Sequence, residues 1–78
     1  MSSGLIKLFA NRMKSIREGL KLSQEDFAEI CEVDRTYIGR LERMERNPSL
    51  ETLERIAKAL HVEVHELLNF KKDLKVKL

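Results

Sequence analysis

The stretch SQEDFAEICEVDRTYIGRL, residues 23–41, decides the fold of this chain. Ser23 and Asp34 are residue types that cap helix N-termini, and each precedes a segment whose apolar residues recur at helical spacing. Asp26, three residues after Ser23, gives a pattern close to a capping box. Two helices this short cannot bury each other's apolar faces alone, so we expect neighbouring helices to brace them.

A Ser-capped helix pair is weak evidence on its own, because many small helical proteins contain one. Further weight comes from a small Ala28 where two helices would cross closely and from a β-branched Ile38 ten residues later. The second helix also begins with three residues rich in hydrogen-bond donors, Arg35, Thr36 and Tyr37. Together these features favour a helix-turn-helix, in which the second helix enters the major groove of DNA.

The rest of the chain predicts an all-α domain of five helices. Their expected ranges are about 5–20, 24–31, 35–43, 50–60 and 64–69. One face of the first helix carries Phe9, Met13, Ile16 and Leu20. Pro48 and the N-cap Ser49 separate the third and fourth helices.

We expect one domain over residues 1–78, with its core at about 7–69 and a C-terminal tail at 70–78. Residues 73–78 alternate polar and apolar side chains with period two. This pattern predicts either a strand paired with the same tail of another subunit or a frayed tail.

Composition narrows the class of protein. The chain has 78 residues, and its one cysteine excludes an internal disulfide. Its formal net charge of +2 says little about binding partners. The sequence shows no signal peptide and no apolar run long enough to span a bilayer, so we expect a soluble, cytoplasmic protein.

The distribution of charge says more than its sum. Residues 1–22 are mainly basic, residues 23–34 contain acidic charges alone, and residues 35–47 carry four arginines against two glutamates. Arginines clustered on one element are typical of a nucleic-acid surface. We therefore expect the first and third helices to form a basic footprint and the second helix to present acidic side chains to solvent. The mixed charges of the fourth helix indicate an ordinary solvated face.

The sequence gives little support for redox, metal-binding or catalytic chemistry. Cys31 lies on the apolar face of the second helix and is expected in the core rather than as a redox switch. His61 and His65 are four residues apart, but they lack the cysteine spacing or carboxylate cluster of a zinc site. With no glycine-rich phosphate loop and no plausible nucleophile–base pair, we expect no metal, no cofactor and no enzyme activity.

The chain resembles the phage-repressor (Cro/repressor, or XRE) helix-turn-helix family over about residues 7–69. The residues that carry the resemblance are Ile16-Arg17, Leu22-Ser23-Gln24-Glu25, Phe27-Ala28-Glu29, Ile38-Gly39-Arg40-Leu41-Glu42-Arg43, Glu45-Arg46-Asn47-Pro48-Ser49-Leu50-Glu51-Thr52-Leu53 and Ile56-Ala57-Lys58-Ala59-Leu60. Within that superfamily, Asp34-Arg35-Thr36-Tyr37-Ile38, with Glu42-Arg43 and Arg46-Asn47, looks like the controller proteins of restriction–modification systems.

The resemblance implies a lambda-repressor-like fold of five helices and a sequence-specific transcriptional regulator that acts on its own promoter. It implies double-stranded operator DNA as a partner, and RNA polymerase as well if the protein activates transcription. The alternatives are another small repressor, such as a phage regulator or an antitoxin, and a protein-interaction module that has lost DNA binding.

Family members usually have glycine after each of the first four helices, where the chain leaves the helix in a left-handed conformation. Here those positions hold Lys21, Glu32, Met44 and His61. If each backbone stays left-handed, a strain of roughly 1 kcal/mol per site follows. Either the turns have changed geometry, or the monomer is marginal and relies on dimerisation. Glu63 also begins the fifth helix where the family usually has serine.

The expected DNA-binding residues lie on or beside the third helix. For base readout we predict Arg35, which can form a bidentate pair with guanine, and also Thr36 and Arg40. For phosphate contacts we predict Gln24, at the start of the second helix, together with Tyr37, Arg43, Arg46 and Asn47. For Arg43 an alternative is an ion pair with Glu42, Glu45 or an acid of the second helix.

A homodimer is expected because one helix in one groove is a small interface, and specific repression generally uses two half-sites. Apolar residues beyond the needs of a monomer core are concentrated late in the chain, and the family pairs subunits through its fourth and fifth helices. The predicted interface residues are Val62, Val64, Leu67, Leu68 and Phe70. The alternative is that they only cover the first helix.

Overall fold

The structure, a computed structural model, describes residues 4–70. Within that range the chain forms the five helices α1 (Gly4–Gly19), α2 (Gln24–Cys31), α3 (Arg35–Glu42), α4 (Leu50–Leu60) and α5 (Val64–Leu67). The prediction of an all-α fold is confirmed, with each boundary within two residues of expectation. The predicted strand at 73–78 lies outside the described residues.

Polar side chains begin three of the helices as the sequence predicts. The Ser23 hydroxyl accepts a hydrogen bond from the Asp26 backbone N–H at 3.0 Å, and Asp34 accepts one from the Thr36 N–H at 2.7 Å. Ser49 caps α4 in the same way. Each cap satisfies a helix N–H that has no intrahelical acceptor.

Glu63 stands at the start of α5, where the family that the sequence resembles usually has serine. Its backbone N–H donates to the carboxylate of Glu66 at 2.8 Å, which is the reciprocal half of a capping box. The first turn of α5 is therefore stabilised by an acidic side chain three residues further on.

The core lies between α2, α3 and α4, and α1 and α5 close it. Phe27, Ile38 and Ile56 are completely buried. The remaining members of the cluster are Phe9, Met13, Ala28, Cys31, Leu41, Leu53, Ala57 and Leu67. Ala28 and Ile38 both belong to this core, so the expected close packing of the helix-turn-helix is confirmed.

Cys31 is 1 % exposed, which confirms the prediction of a core residue. Burial raises the pKa of its thiol to about 11, because a thiolate is poorly solvated inside the protein. The thiol therefore stays protonated at neutral pH and packs as a small apolar side chain.

One apolar position of the first helix was predicted wrongly. Leu20 is 53 % exposed, whereas Phe9 and Met13 are buried and Ile16 is partly buried. The reason is that α1 ends at Gly19, so Leu20 lies in the turn and no longer follows the helical periodicity.

Each of the helices α1–α4 is followed by a residue in the left-handed conformation that is not glycine. The φ angles are 59° at Lys21, 58° at Glu32, 63° at Met44 and 57° at His61. At each site the next residue donates its N–H to a carbonyl five residues back, as Val33 does to Ala28 at 3.0 Å. This hydrogen bond needs a left-handed residue before it. The turns have thus kept the geometry that glycine usually provides, and the idea of changed turns is wrong.

No helix within residues 4–70 is both long enough and apolar enough to cross a membrane.

Replacing Lys21 by glycine tests the strain in these turns. We expect Lys21→Gly to raise the free energy of unfolding by about 0.5–1 kcal/mol, since glycine avoids the left-handed penalty but costs chain entropy. Chemical denaturation measures the change. Lys58→Gly, at an exposed position inside α4, is the matched control and should lower stability by about 1 kcal/mol. Equal effects of the two substitutions would contradict the strain argument.

Candidate nucleic-acid interface

The outer face of α3 carries the predicted base-reading residues. Arg35, Thr36 and Arg40 are all exposed, whereas Ile38 and Leu41 of the same helix are buried against α2 and the rest of the core. Asp34 caps the helix immediately before Arg35. All three predicted side chains are therefore accessible to solvent on α3.

Arg35 is held by an ion pair across the turn. Its Nη1 donates to the Glu25 carboxylate of α2 at 2.9 Å, and both side chains are about two-thirds exposed, at 66 % and 67 %. Sequence reasoning did not find Glu25, which appeared only as one acid among several on the second helix.

A buried ion pair lies behind this face. Arg17 of α1 donates to both carboxylate oxygens of Glu42, at 2.7 and 3.0 Å, and to the carbonyl of Leu22 at 2.8 Å. The side chains are only 12 % and 4 % exposed. Arg17 was counted in the basic footprint of the first helix, and that part of the prediction is wrong. Its guanidinium is paired with Glu42, at the end of α3, and is therefore not available as a free surface charge.

Burial and polar contacts act in opposite directions on the pKa of Glu42. Burial raises the pKa of its carboxyl, but the hydrogen bonds from Arg17 and Gln24 and the positive charges of Arg17 and Lys14 lower it, and the pKa lies below its ordinary value. The same hydrogen bond raises the pKa of Arg17. Both groups are therefore charged at neutral pH.

Gln24 is the third member of this network. Its Nε2 donates to Glu42 at 3.0 Å, so the amide N–H group predicted for a phosphate is directed into the protein. Its Oε1 lies 3.3 Å from where a Cβ on Gly39 would be, and Arg43 Nη1 lies 3.1 Å from the same point. Glycine inside α3 therefore leaves room for the Gln24 and Arg43 side chains.

Tyr37 joins α3 to the loop before α4. Its hydroxyl donates to the Asn47 carbonyl and accepts from the Thr52 hydroxyl, both at 3.3 Å, and the side chain is half-buried. The single phenolic proton is thus donated to the Asn47 carbonyl at the protein surface. A phosphate can take it only if Tyr37 releases Asn47.

The two arginines beyond α3 are exposed and oriented by neighbours. Arg43 pairs with Glu45 at 3.0 Å, which is the alternative that the sequence left open. Their hydrogen bond raises the pKa of Arg43 and lowers that of Glu45. Arg46 lies over the ring of Tyr37, with its guanidinium carbon 5.4 Å from the ring centre.

The predicted dimer residues divide into two groups. Leu67 is 4 % exposed and belongs to the core of the protomer, whereas Val62, Val64, Leu68 and Phe70 pack on that core and stay partly exposed. The Phe70 ring lies under the Arg12 guanidinium at 5.6 Å. Arg12 also donates to the Glu66 carbonyl at 3.1 Å, so it holds α5 against α1 rather than adding to a free basic surface.

Comparison with known proteins agrees with this architecture. The family model described as "Helix-turn-helix" matches residues 13–67. Control protein C.SmaI of Serratia marcescens is 48 % identical over 62 residues, which cover 80 % of this chain and 74 % of that protein. The chain belongs to the helix-turn-helix family of restriction–modification control proteins.

Two solved structures of this family have the same fold. The restriction–modification controller protein C.AhdI from Aeromonas hydrophila superimposes with a TM-score of 0.74 at 39 % identity, over 80 % of this chain and 94 % of that one. The controller protein C.Esp1396I, solved as a tetramer with its natural 35 base-pair operator, gives a TM-score of 0.74 at 38 % identity, over 85 % and 91 % of the chains. The resemblance inferred from the sequence is confirmed.

The buried pair makes a prediction about stability. At neutral pH we expect Glu42→Gln to lower the free energy of unfolding by about 3–5 kcal/mol, because the Arg17 guanidinium stays buried without its carboxylate. The folded pKa of Glu42 lies below its ordinary value of 4.5. Its contribution is therefore complete above that pH and is lost as pH falls through the lower folded pKa.

Urea denaturation of both proteins across pH 2–7 would measure this effect, and the difference between them should narrow below pH 4.5. The control is Glu51→Gln in α4, which breaks an exposed pair with Arg55 and should cost less than about 0.5 kcal/mol. A Glu42→Gln loss as small as that of the control would show that the buried pair does not stabilise the fold.

Proposed function

We propose that this protein is a cytoplasmic, sequence-specific DNA-binding regulator, the controller of a restriction–modification system that acts on its own promoter. The observation that carries the proposal is the outer face of α3, where Arg35, Thr36 and Arg40 are exposed and the opposite face is buried. A helix presented in this way can lie in a major groove with its N-terminal residues against base edges. Membership of the control-protein family supports the assignment.

The side chains divide between base readout and phosphate contacts. Arg35 offers two parallel N–H donors to guanine O6 and N7, and Thr36 offers a methyl group to thymine or a hydroxyl to a base edge. Arg40 lies further along the same exposed face and extends the contact to bases or backbone. Each good base contact of this kind contributes about 1–3 kcal/mol to discrimination.

Other residues contact the DNA phosphates on either side of the bases that α3 reads. Arg43, Arg46 and Asn47 are exposed at the end of α3 and in the following loop, where they act as clamps on the backbone. The Gln24 side chain connects α2 to α3, since its amide N–H donates to Glu42. The positive N-terminal end of α2 then supplies the attraction for a phosphate.

A homodimer completes the proposal. Val62, Val64, Leu68 and Phe70 are the partly exposed apolar side chains near the C-terminal end of the described chain, and a twofold pairing there presents two α3 helices to two half-sites. Leu67 supports this surface from within the core.

We also propose that, if the protein activates transcription, it contacts RNA polymerase through α2. Asp26 and Glu29 are exposed on that helix, and a surface of this sign fits a basic surface of a polymerase bound beside it. Substitution of these residues should then change activation without changing the discrimination between operator and random duplex.

DNA binding is tested by a gel-shift with the duplex immediately upstream of the gene for this protein and with a random duplex as competitor. We expect Arg35→Ala to weaken specific binding by about 1–3 kcal/mol and to weaken binding to the random duplex much less, since that binding loses one positive charge but no base contact. The matched control, Lys58→Ala on α4, removes one positive charge outside the interface. Equal binding of both duplexes, unchanged by Arg35→Ala, would favour the interaction module that has lost DNA binding.

The dimer is tested by analytical ultracentrifugation of Val64→Glu. A charge in an apolar interface should weaken the dimer by at least about 1.4 kcal/mol, which is about tenfold in Kd. His65→Glu adds a similar charge at the exposed neighbouring position and should leave the dimer intact. Circular dichroism checks that both variants fold. A Val64→Glu protein with unchanged dimer affinity would place the interface elsewhere.

A further inference from the structure

We infer that Glu25 is a positioning residue for base readout, whose carboxylate orients the Arg35 guanidinium toward the groove. This inference rests on the proposed function, because it adds a specificity-determining residue to the same DNA-binding face. It concerns orientation rather than stability, since a solvent-exposed ion pair contributes little to folding.

The geometry comes from the packing of α2 against α3. Glu25 lies in the first turn of α2, and Arg35 is the first residue of α3. The close approach of the two helices brings Glu25 Oε2 within 2.9 Å of Arg35 Nη1. Both helix starts are fixed by their own caps, so the two ends of the ion pair are held in place.

The hydrogen bond leaves the useful edge of the guanidinium free. Arginine has five N–H donors in one rigid plane, and Glu25 takes one of them, on Nη1. Among residues 4–70, Glu25 is the only hydrogen-bond partner of the Arg35 side chain. The Nε–Nη2 edge therefore keeps two parallel donors, the arrangement that matches guanine O6 and N7.

The effect of Glu25 on DNA binding then has two opposing parts. Its negative charge near the duplex weakens binding to phosphates of any sequence. Holding Arg35 in one orientation reduces the rotamer freedom lost when the base contact forms, which strengthens the specific contact. A carboxylate at this position thus lowers general affinity and raises discrimination, and the two parts can be measured separately.

Glu29 provides a matched control on the same helix. It is exposed, carries the same charge and makes no ion pair within the described chain. Glu29→Ala and Glu25→Ala remove equal charge from α2, but only the second change releases Arg35. Glu25→Gln keeps an oxygen acceptor at the same reach and removes the charge.

The experiment selects binding sites from a library of random double-stranded DNA with each purified full-length variant. Sequencing gives the preference at each position, and fluorescence anisotropy with matched duplexes then gives discrimination as a ratio of dissociation constants. Arg35→Ala identifies the guanine in each half-site that this arginine reads.

We expect Glu25→Ala to lower discrimination at that guanine by about two- to five-fold, the range of an exposed ion pair. Glu29→Ala should keep the wild-type discrimination, and Glu25→Gln should recover part of it. In the Arg35→Ala background, Glu25→Ala should change nothing further at this position. Affinity for random duplex should rise similarly in both alanine variants, since each removes one negative charge.

Equal discrimination by Glu25→Ala and Glu29→Ala would overturn the inference and leave the proposed function intact. Sharper discrimination by Glu25→Ala would also overturn it, because the ion pair would then hold Arg35 away from the base. If the wild-type protein selects no preferred sequence at all, the proposed function itself fails.

Discussion

The structure depends on one buried ion pair, between Arg17 of α1 and Glu42 at the end of α3. Arg17 reaches the carboxylate with two N–H groups and the Leu22 carbonyl with a third. Gln24 adds a further donor to Glu42. Taking two charges out of water is expensive, and it is tolerated only when geometry and hydrogen bonding compensate both ions. Here they do, and the contacts connect α1, the loop before α2, α2 and α3 in one place.

This ion pair helps to fix the orientation of α3, and therefore of its exposed side chains, relative to the rest of the domain. Its C-terminal end is tied to α1 and α2 through Glu42, and its N-terminal end is fixed by the Asp34 cap. Between these points, buried Ile38 and Leu41 prevent the helix from rotating about its axis. Arg35 and Arg40 therefore project from a rigid element, which is what a base-reading surface requires.

The sequence predicted the parts of the molecule that depend on local chemistry. Ser23, Asp34 and Ser49 cap helices as expected, because a cap is decided by residues three apart at most. Arg17 could not be assigned correctly from charge patterning, since its partner lies twenty-five residues away. Charge counts along the chain treat it as surface charge, and only packing of α1 against α3 shows otherwise. The hydrogen bonds of Tyr37 escaped sequence analysis for a similar reason, because its partners belong to the next loop and to α4, and its contact with a phosphate stays a prediction.

At the left-handed turns, tertiary packing overrides the backbone preference of the residues that form them. Lys21, Glu32, Met44 and His61 are poor residues for this backbone conformation, yet all four adopt it. Each turn sets the direction in which the next helix begins, so relaxing a turn would pull apart the contacts of Phe27, Ile38 and Ile56. A side chain with a Cβ costs about 1–2 kcal/mol in this conformation, less than the loss of even one large core side chain, at about 2–5 kcal/mol. The tertiary fold therefore imposes the turn geometry on residues that would not choose it, and the domain keeps its architecture with a smaller margin of stability.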